Sequence, residues 1–191
     1  EEFQSKAGRL LAFAHKELDS KYKDEAQEEL EQGLIYDGFV VIADPLSPDV
    51  YESIRNCRSA GIEVKMLTGD NIRTARAIAN ELHMLDDDHI AVEASDIEKM
   101  TDEELKEALK KIQVIARSTP LVKMRVVKLL KEQGNVVAVT GDGINDAPAI
   151  KHADVGIAMG IAGTDVTKEA SDMVLLDDSF STIIKAVQWG R

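Results

Sequence analysis

Residues 135–150 read NVVAVTGDGINDAPAI, and this stretch decides the fold. Its first part, residues 135–140, is a valine-rich apolar run of the kind that forms a buried central strand in a parallel sheet. The run ends in Thr140-Gly141-Asp142, and the residues from Ile144 to His152 favour a helix. The stretch therefore predicts a strand, a polar loop and a helix in succession, which is the repeating unit of an α/β fold.

The same order recurs on both sides of this stretch. Short apolar runs rich in β-branched residues alternate with amphipathic stretches, which predicts a parallel sheet with helices on both faces. The predicted strands are 39–42, 62–67, 89–92, 113–116, 135–140, 155–158 and 173–176. The predicted helices begin at Pro48, Asn71, the capping box at Thr101, Pro120, Ile144, Thr164 and Phe180.

The first thirty-odd residues do not follow this alternation. Arg9–Leu18 fits either a strand or a helix, and Ser20–Gln32 is polar and rich in glutamate. We therefore predict a separate unit over residues 1–32 and a main domain over 33–191, with the boundary near Gly33.

Composition excludes several classes of protein. The 191 residues are 44% hydrophobic and 30% charged, which is typical of a globular protein. The 23 basic and 35 acidic residues give a net charge of −12, which argues against a nucleic-acid binder but allows a nucleotide site. The single cysteine, Cys57, excludes an internal disulfide and favours a reducing compartment. Without a signal peptide or an apolar run of membrane-spanning length, we expect a soluble chain.

Two predicted strands end in the same tripeptide, Thr68-Gly69-Asp70 and Thr140-Gly141-Asp142. Glycine lets a ligand approach the backbone, threonine offers its hydroxyl and amide, and the helix N-terminus that follows favours an anion. Aspartate oxygens suit Mg²⁺, and the four-residue spacing of Asp142 and Asp146 brings both towards one point. One copy alone is most simply a turn and a helix cap. Two copies, one followed by Asn145-Asp146, favour a site for phosphate and a divalent cation.

Lys123 is predicted in the first turn of the helix that begins at Pro120. A cation there is unfavourable against the helix dipole. Either the lysine is solvated, or it faces a phosphate whose charge outweighs the dipole. Spacing alone leaves both interpretations open.

Three long motifs resemble the P-type ATPases, and most closely their calcium-pumping branch. They are MLTGDN (66–71), VTGDGINDAPAI (139–150) and GTDVTKEASDMVLLDD (163–178). ADPLSPDV (43–50) resembles the hinge of that family, although Leu46 and Ser47 stand where proline and arginine are common. The end of the chain, DDSFSTIIKAVQWGR, resembles plasma-membrane-type calcium pumps.

The resemblance implies a haloacid-dehalogenase-like phosphorylation domain whose sheet holds a phosphorylated aspartate and Mg²⁺ at its strand ends. Thr68 and Gly69 would bind the transferred phosphoryl group, and Lys123 would contact it as a point charge. Asp142 would ligate Mg²⁺, and Asp146 would be a second metal residue.

The resemblance also implies a nucleotide side to the site. Asn145 would help to order the phosphate and metal residues, while Asp70 and Arg117 would lie by the phosphates and ribose of ATP. Arg9 matches the arginine at the end of the nucleotide-binding domain of the family. Residues before Gly33 would then be the tail of that domain.

The aspartate nucleophile of the family, in Asp-Lys-Thr-Gly-Thr, has no counterpart here, because no Asp-Lys-Thr occurs in the chain. By resemblance the chain begins after that motif and lacks the actuator and membrane parts, so we expect a cytoplasmic fragment that is inactive alone. The missing strand is central in the family. We therefore expect a gap in the sheet with exposed strand edges, or a dimer or domain swap that covers them.

The main hypothesis is that the whole protein, a multi-pass membrane protein, couples ATP hydrolysis through an aspartyl-phosphate to transport of a cation, calcium in particular. One alternative is a soluble haloacid-dehalogenase-like phosphatase, which needs an Asp-x-Asp nucleophile that the sequence does not display after an N-terminal strand. Another is a non-catalytic module that binds nucleotide or Mg²⁺.

Overall fold

The structure, a computed structural model, describes residues 9–17, 31–42 and 46–190. The chain divides into two compact units, Glu1–Pro45 and Leu46–Arg191. The predicted boundary near Gly33 falls inside the first unit, because the strand that follows Gly33 pairs with the strand that precedes it. Most of the predicted unit 1–32, and the start of the hinge-like segment at Ala43–Pro45, lie outside the described residues.

The first unit contains an antiparallel ribbon of β1 (Arg9–His15) and β2 (Ile35–Ile42), with an irregularity between Phe13 and Ala14. The segment that begins at Arg9, for which the sequence allowed either a strand or a helix, thus starts with a strand. Residues 39–42 form a strand as predicted, but its assignment to the parallel sheet is wrong, since β2 pairs only with β1 among the described residues. The large apolar side chains of the ribbon are 38–62% exposed.

The second unit alternates helices and strands. Its helices are α1 (Pro48–Ser59), α2 (Ile72–Glu81), α3 (Ala94–Ile97), α4 (Asp102–Ala108), α5 (Pro120–Glu132), α6 (Ala147–His152), α7 (Asp165–Ala170) and α8 (Phe180–Gly190), with a 3₁₀ turn at Ile144–Asp146. Its strands are β3 (Met66–Leu67), β4 (Ile90–Glu93), β5 (Ile112–Ala116), β6 (Ala138–Gly141), β7 (Val155–Met159) and β8 (Met173–Leu175).

The six strands form two parallel sheets of three, in the orders β3-β5-β4 and β6-β7-β8. The predicted α/β class with parallel strands is confirmed. Within the part of the chain that the structure describes, β3 and β6 each pair with one neighbour only. The two strands that end in Thr-Gly-Asp, β3 and β6, are therefore each an edge strand of their own sheet.

Strand β5 is the buried centre of the first sheet, and all five of its residues are buried. Ile115 packs into a cluster with residues of α3, α4 and α5, such as Val126. Val114 packs on the other side with residues of α1 and α2, such as Ala75. Helices therefore cover both faces of this sheet, as predicted.

Strand β6, predicted to be the buried central strand, is neither central nor fully buried. It begins only at Ala138 and its residues alternate between exposed and half-buried, while the preceding Val136 is 85% exposed. The valine run is present, but no described strand lies against its second edge to bury it. The prediction was wrong because burial of a strand depends on a neighbour that local sequence does not reveal.

Side-chain caps fix several helix starts near the strand ends. Asn71 Oδ1 accepts from Thr74 N at 3.0 Å at the start of α2, and Thr119 Oγ1 accepts from Val122 N at 3.3 Å at the start of α5. The predicted capping box of Thr101 and Glu104 is confirmed. Such caps satisfy backbone N–H groups that a helix start leaves without partners.

None of the helices in residues 9–17, 31–42 and 46–190 combines the length and the apolar character needed to cross a bilayer.

Candidate functional site

The loop after β3 is fastened to the loop after β5 by backbone hydrogen bonds. Ser118 N donates to Thr68 O at 2.8 Å, and Arg117 N donates to Asp70 O at 2.9 Å. Arg117 adopts a positive φ of 53°, which is uncommon for a residue other than glycine. The two strand-end loops therefore form one connected edge of the first sheet.

Thr68 offers its hydroxyl to this edge, but not its amide. Thr68 N donates to Ile115 O at 3.0 Å, so this amide is already bonded within the first sheet. Its hydroxyl donates to Asp70 Oδ2 at 3.2 Å and accepts from Asp70 N at 3.1 Å. Gly69 is exposed, and its N–H makes no hydrogen bond within the described ranges. The first loop thus presents one open backbone donor, the Gly69 N–H, because the single hydrogen of the Thr68 hydroxyl is donated within the loop.

Lys123 meets the loop after β6. Its Nζ lies 2.5 Å from Asp146 Oδ1, and the two side chains are only 13% and 14% exposed. The interpretation of Lys123 as a solvated lysine is therefore wrong. The carboxylate of Asp146 supplies the negative charge that offsets the helix dipole at the start of α5. The other oxygen of Asp146 accepts from Gly143 N at 3.2 Å.

Gly141 is required by the position of Asp146. A Cβ built on Gly141 would lie 2.4 Å from Asp146 Cβ and 2.7 Å from Asp146 Oδ2. No side chain fits there unless Asp146 moves away from Lys123. The glycine of the second loop therefore makes room for the Lys123–Asp146 contact.

The backbone carbonyl of Asp142 is hydrogen-bonded, whereas its carboxylate is available to a ligand. Its carbonyl oxygen accepts from Thr164 N at 3.0 Å and from Thr167 Oγ1 at 3.2 Å. Its carboxylate is exposed and has no hydrogen bond or ion pair among the described residues. A carboxylate at the end of a strand, presented by a fixed backbone, is a suitable ligand for a hard cation.

The donor set fits Mg²⁺ as the metal that the fold family implies. No group of three or more His, Cys, Asp or Glu side chains able to hold a metal occurs in the described ranges. Mg²⁺ does not need one, because it keeps several waters and takes one or two carboxylates together with phosphate oxygens. Asp142 is open for that role, and Asp146 keeps lone pairs beyond those used by Lys123 and Gly143.

Contacts connect the loops after β3, β5 and β6 through the start of α5. The loop of Thr68 bonds to Ser118, which lies just before α5, and Lys123 in the first turn of α5 bonds to Asp146. The start of α5 thus lies next to both loops: its preceding residue Ser118 bonds to the first loop, and its Lys123 pairs with Asp146 of the second.

The remaining predicted residues lie at the periphery of these contacts. Asp70, Arg117 and Asn145 are exposed, and the side chains of Arg117 and Asn145 make no hydrogen bond or ion pair within residues 46–190. Arg9 belongs to β1 in the other compact unit. Its side chain lies outside the described residues.

Sequence reasoning missed three residues that support the second loop. Thr164 and Thr167 bind the Asp142 backbone, and Asp178 accepts from the N–H groups of residues 160, 161 and 162 at 2.6–3.2 Å. Partial burial raises the pKa of Asp178, but these donors outweigh burial and lower it overall. The spacing of Thr164 and Thr167 was a usable signal, because hydroxyls three residues apart at a helix start face each other.

A groove of about 620 Å³ lies beside the edge of the first sheet. It is bordered by Val64 and Met66 at the edge of the first sheet, by Met159 at the end of β7, and by the first residues of α1 and α8.

Comparisons with known proteins agree with these features. Two family models, both of haloacid dehalogenase-like hydrolases, match residues 2–154 and 123–187. The chain is 51% identical over 190 residues to calcium-transporting ATPase 3, plasma membrane-type, of Oryza sativa subsp. japonica. It is 50% identical over 192 residues to calcium-transporting ATPase 2, plasma membrane-type, of Arabidopsis thaliana. These alignments cover 99% and 100% of this chain but only 18% and 19% of the two relatives, so the chain spans less than a fifth of their length.

Proposed function

We propose, because the chain belongs to the haloacid dehalogenase-like hydrolase family, that it forms the phosphoryl-transfer site of a P-type calcium-transporting ATPase. In this proposal the whole protein resides in the plasma membrane, residues 33–191 belong to its cytoplasmic phosphorylation domain, and residues 1–32 to the tail of its nucleotide-binding domain. ATP is the substrate, and Ca²⁺ is the transported ion.

The observation that carries the proposal is the contact between Lys123, in the first turn of α5, and Asp146, in the loop after β6. A lysine in the first turn of a helix is unfavourable unless negative charge lies beside it. Asp146 supplies one such charge, and the adjoining Thr68 loop offers the open Gly69 N–H to a second anion. The Thr68 hydroxyl would donate to that anion by releasing Asp70 Oδ2. A phosphoryl group at this edge would therefore meet the Gly69 N–H of the first loop and the ammonium of Lys123.

The roles follow from what each group can donate or accept. Thr68 and Gly69 would hydrogen-bond oxygens of the transferred phosphoryl group, and Lys123 would neutralise part of the charge that develops during transfer. Asp146 would hold Lys123 in its half-buried position. These contributions are positioning and electrostatic stabilisation, which dominate phosphoryl transfer.

Asp142 would hold Mg²⁺, with Asp146 as a second oxygen donor. When bound, Mg²⁺ would neutralise phosphate charge that the lysine alone does not balance. The chain contributes the open carboxylate and the backbone bonds that fix Asp142.

The nucleotide would extend from this edge towards Asp70, Arg117 and Asn145. Asp70 and Arg117 are joined by a backbone hydrogen bond of 2.9 Å, so the two residues move together. Arg117 and Asn145 leave their side-chain donors to the solvent, where phosphate and ribose oxygens could accept them. Arg9 would bind nucleotide as part of the nucleotide-binding domain.

The nucleophile would come from outside this sequence, which contains no Asp-Lys-Thr. We assign it to a strand lying between β3 and β6, where each of these edges has N–H and C=O groups to pair. The groove of about 620 Å³, bordered by Met66 of β3 and Met159 of β7, leaves space beside the edge of β3. An aspartate at the end of such a strand would lie between the two Thr-Gly-Asp loops.

The test is the Asp142→Asn variant of the full-length ATPase in membranes. The variant keeps the size of the side chain but removes the charge that attracts Mg²⁺, so phosphoenzyme formation from radiolabelled ATP should fall at least a hundredfold. Asp87→Asn, at an exposed aspartate in the turn before β4, is the matched control and should retain the wild-type rate. Normal phosphorylation of the Asp142→Asn protein, with normal Mg²⁺ dependence, would refute the metal assignment.

A further inference from the structure

The backbone of Asp142 lies beyond the last pair of its sheet. The ladder between β6 and β7 ends with Gly141 opposite Ala158. The Asp142 carbonyl is instead bound from α7, by Thr164 N at 3.0 Å and by Thr167 Oγ1 at 3.2 Å. Since β6 has no described partner on its other edge, these two bonds are the attachment of Asp142 to the rest of the unit.

The hydrogen bonds of the two threonines form a directed chain. Thr167 Oγ1 lies 2.6 Å from Thr164 Oγ1, and Thr164 Oγ1 also accepts from Thr167 N at 3.3 Å. A hydroxyl has one hydrogen. If Thr167 donates its hydrogen to Asp142, Thr164 must donate to Thr167, and every group in the chain is then satisfied. Thr167 is fully buried, so solvent cannot replace either bond.

The loop that carries these threonines is itself immobilised. Asp178 binds the amides of residues 160–162, and a Cβ on Gly163 would lie 1.9 Å from Met159 O. Gly160 is equally confined, because its Cβ would lie 2.4 Å from Leu175 O. The loop between β7 and α7 therefore presents Thr164 and Thr167 to Asp142 from a fixed frame.

We propose that Thr167, oriented by Thr164, is a positioning residue that fixes the backbone of Asp142 so that its carboxylate is preorganised for a divalent cation. The inference rests on the proposed metal site, but it concerns residues of α7 that would not touch the metal or the phosphate. Outer groups that orient a metal ligand commonly change metal affinity ten- to a hundredfold.

The experiment titrates the 191-residue chain with Mn²⁺, as a spectroscopic substitute for Mg²⁺, and follows the free ion by electron paramagnetic resonance. Thr167→Val keeps the shape of the side chain and removes the hydroxyl, and we expect its Kd for Mn²⁺ to rise about tenfold. Thr167→Ser keeps the hydroxyl and should stay within about twofold of wild type. A Thr167→Val protein that binds Mn²⁺ with the wild-type Kd would overturn the inference.

Amide hydrogen exchange of residues 141–143 gives a second readout that needs no metal. It should be faster in Thr167→Val than in Thr167→Ser, and equal exchange in both would also overturn the inference. If Thr167→Val fails to fold, Thr164→Val at the half-buried Thr164 takes its place, with Thr164→Ser as control and the same expected directions. A wild-type chain that binds no Mn²⁺ would refute the proposed metal site, while the exchange measurement would still decide whether Thr167 fixes Asp142.

Discussion

The two Thr-Gly-Asp loops have the same sequence but are held in opposite ways. In the loop of residues 68–70 the threonine hydroxyl is bonded within the loop, and a Cβ on Gly69 would meet nothing within 4 Å. In the loop of residues 140–142 the Thr140 hydroxyl has no described partner, while a Cβ on Gly141 would strike Asp146.

The difference shows that a short motif does not fix the role of its residues. The first loop depends on its threonine, whose hydroxyl closes the turn, and its glycine leaves open backbone for a ligand. The second depends on its glycine, which makes room for the Lys123–Asp146 contact. The position at which a substitution destabilises the protein most should therefore differ between the loops. It is the threonine in the first loop and the glycine in the second, and matched substitutions can test this difference.

The largest expected effect is that of Gly141→Ala compared with Gly69→Ala. The new methyl group at position 141 overlaps Asp146 Cβ, so Asp146 must shift, and overpacking of this kind costs about 2 kcal/mol. The same change at position 69 meets no atom and should alter the free energy of unfolding by less than about 0.5 kcal/mol. Urea denaturation followed by circular dichroism measures both. Equal losses at the two glycines would remove the distinction between the loops.

The alternation of strands and helices was predictable because it depends on local sequence signals, namely β-branched runs and helix caps. The helix from Asn71 and the capping box at Thr101 are examples, since each start signal acts within a few residues. The predicted burial of β6 failed for the opposite reason. The valine run indicates that the strand is apolar, but it does not indicate whether another strand lies beside it.

The candidate site was predictable as a set of residues but not as a set of contacts. Thr68, Asp142 and Asp146 follow from residue type and position at strand ends. Spacing could not decide the surroundings of Lys123, because its partner lies 23 positions away in sequence. Thr167 escaped notice because a threonine near a helix start is most simply part of a cap, and its bond to Asp142 spans 25 positions.

A second comparison exchanges threonine for valine in each loop. Thr68→Val removes the hydroxyl that bonds both the amide and the carboxylate of Asp70, and should cost about 1 kcal/mol. Thr140→Val replaces an exposed hydroxyl with no described partner and should change stability by less than about 0.5 kcal/mol. The measurement is again the urea midpoint at constant slope. A loss at Thr140 as large as that at Thr68 would mean that the second loop also depends on its hydroxyl.

The smallest expected effect is on the pH dependence of stability. It arises because different side chains hold the starts of β3 and β6. On the side of the first loop, Lys65 Nζ donates to Leu109 O at 2.7 Å and to Ile112 O at 2.8 Å. On the side of the second, Asp154 Oδ2 accepts from Val137 N at 2.9 Å just before β6, and Asp154 also pairs with Lys131. The Val137 N–H first, and Lys131 second, lower the pKa of Asp154.

A carboxyl group whose pKa is lower in the folded chain stabilises the fold at pH values above its unfolded pKa of about 3.9, and this stabilisation is lost as the pH falls through the folded value. Asp154→Asn should therefore lower the melting temperature at pH 6, and the difference from wild type should shrink as the pH falls below about 4. Asp87→Asn, at an exposed carboxylate with no described partner, is the control. A deficit of the Asp154→Asn protein that stays constant from pH 6 to about pH 3 would show that the charge of Asp154 does not anchor β6, and the two loops would then differ only in their glycine and threonine.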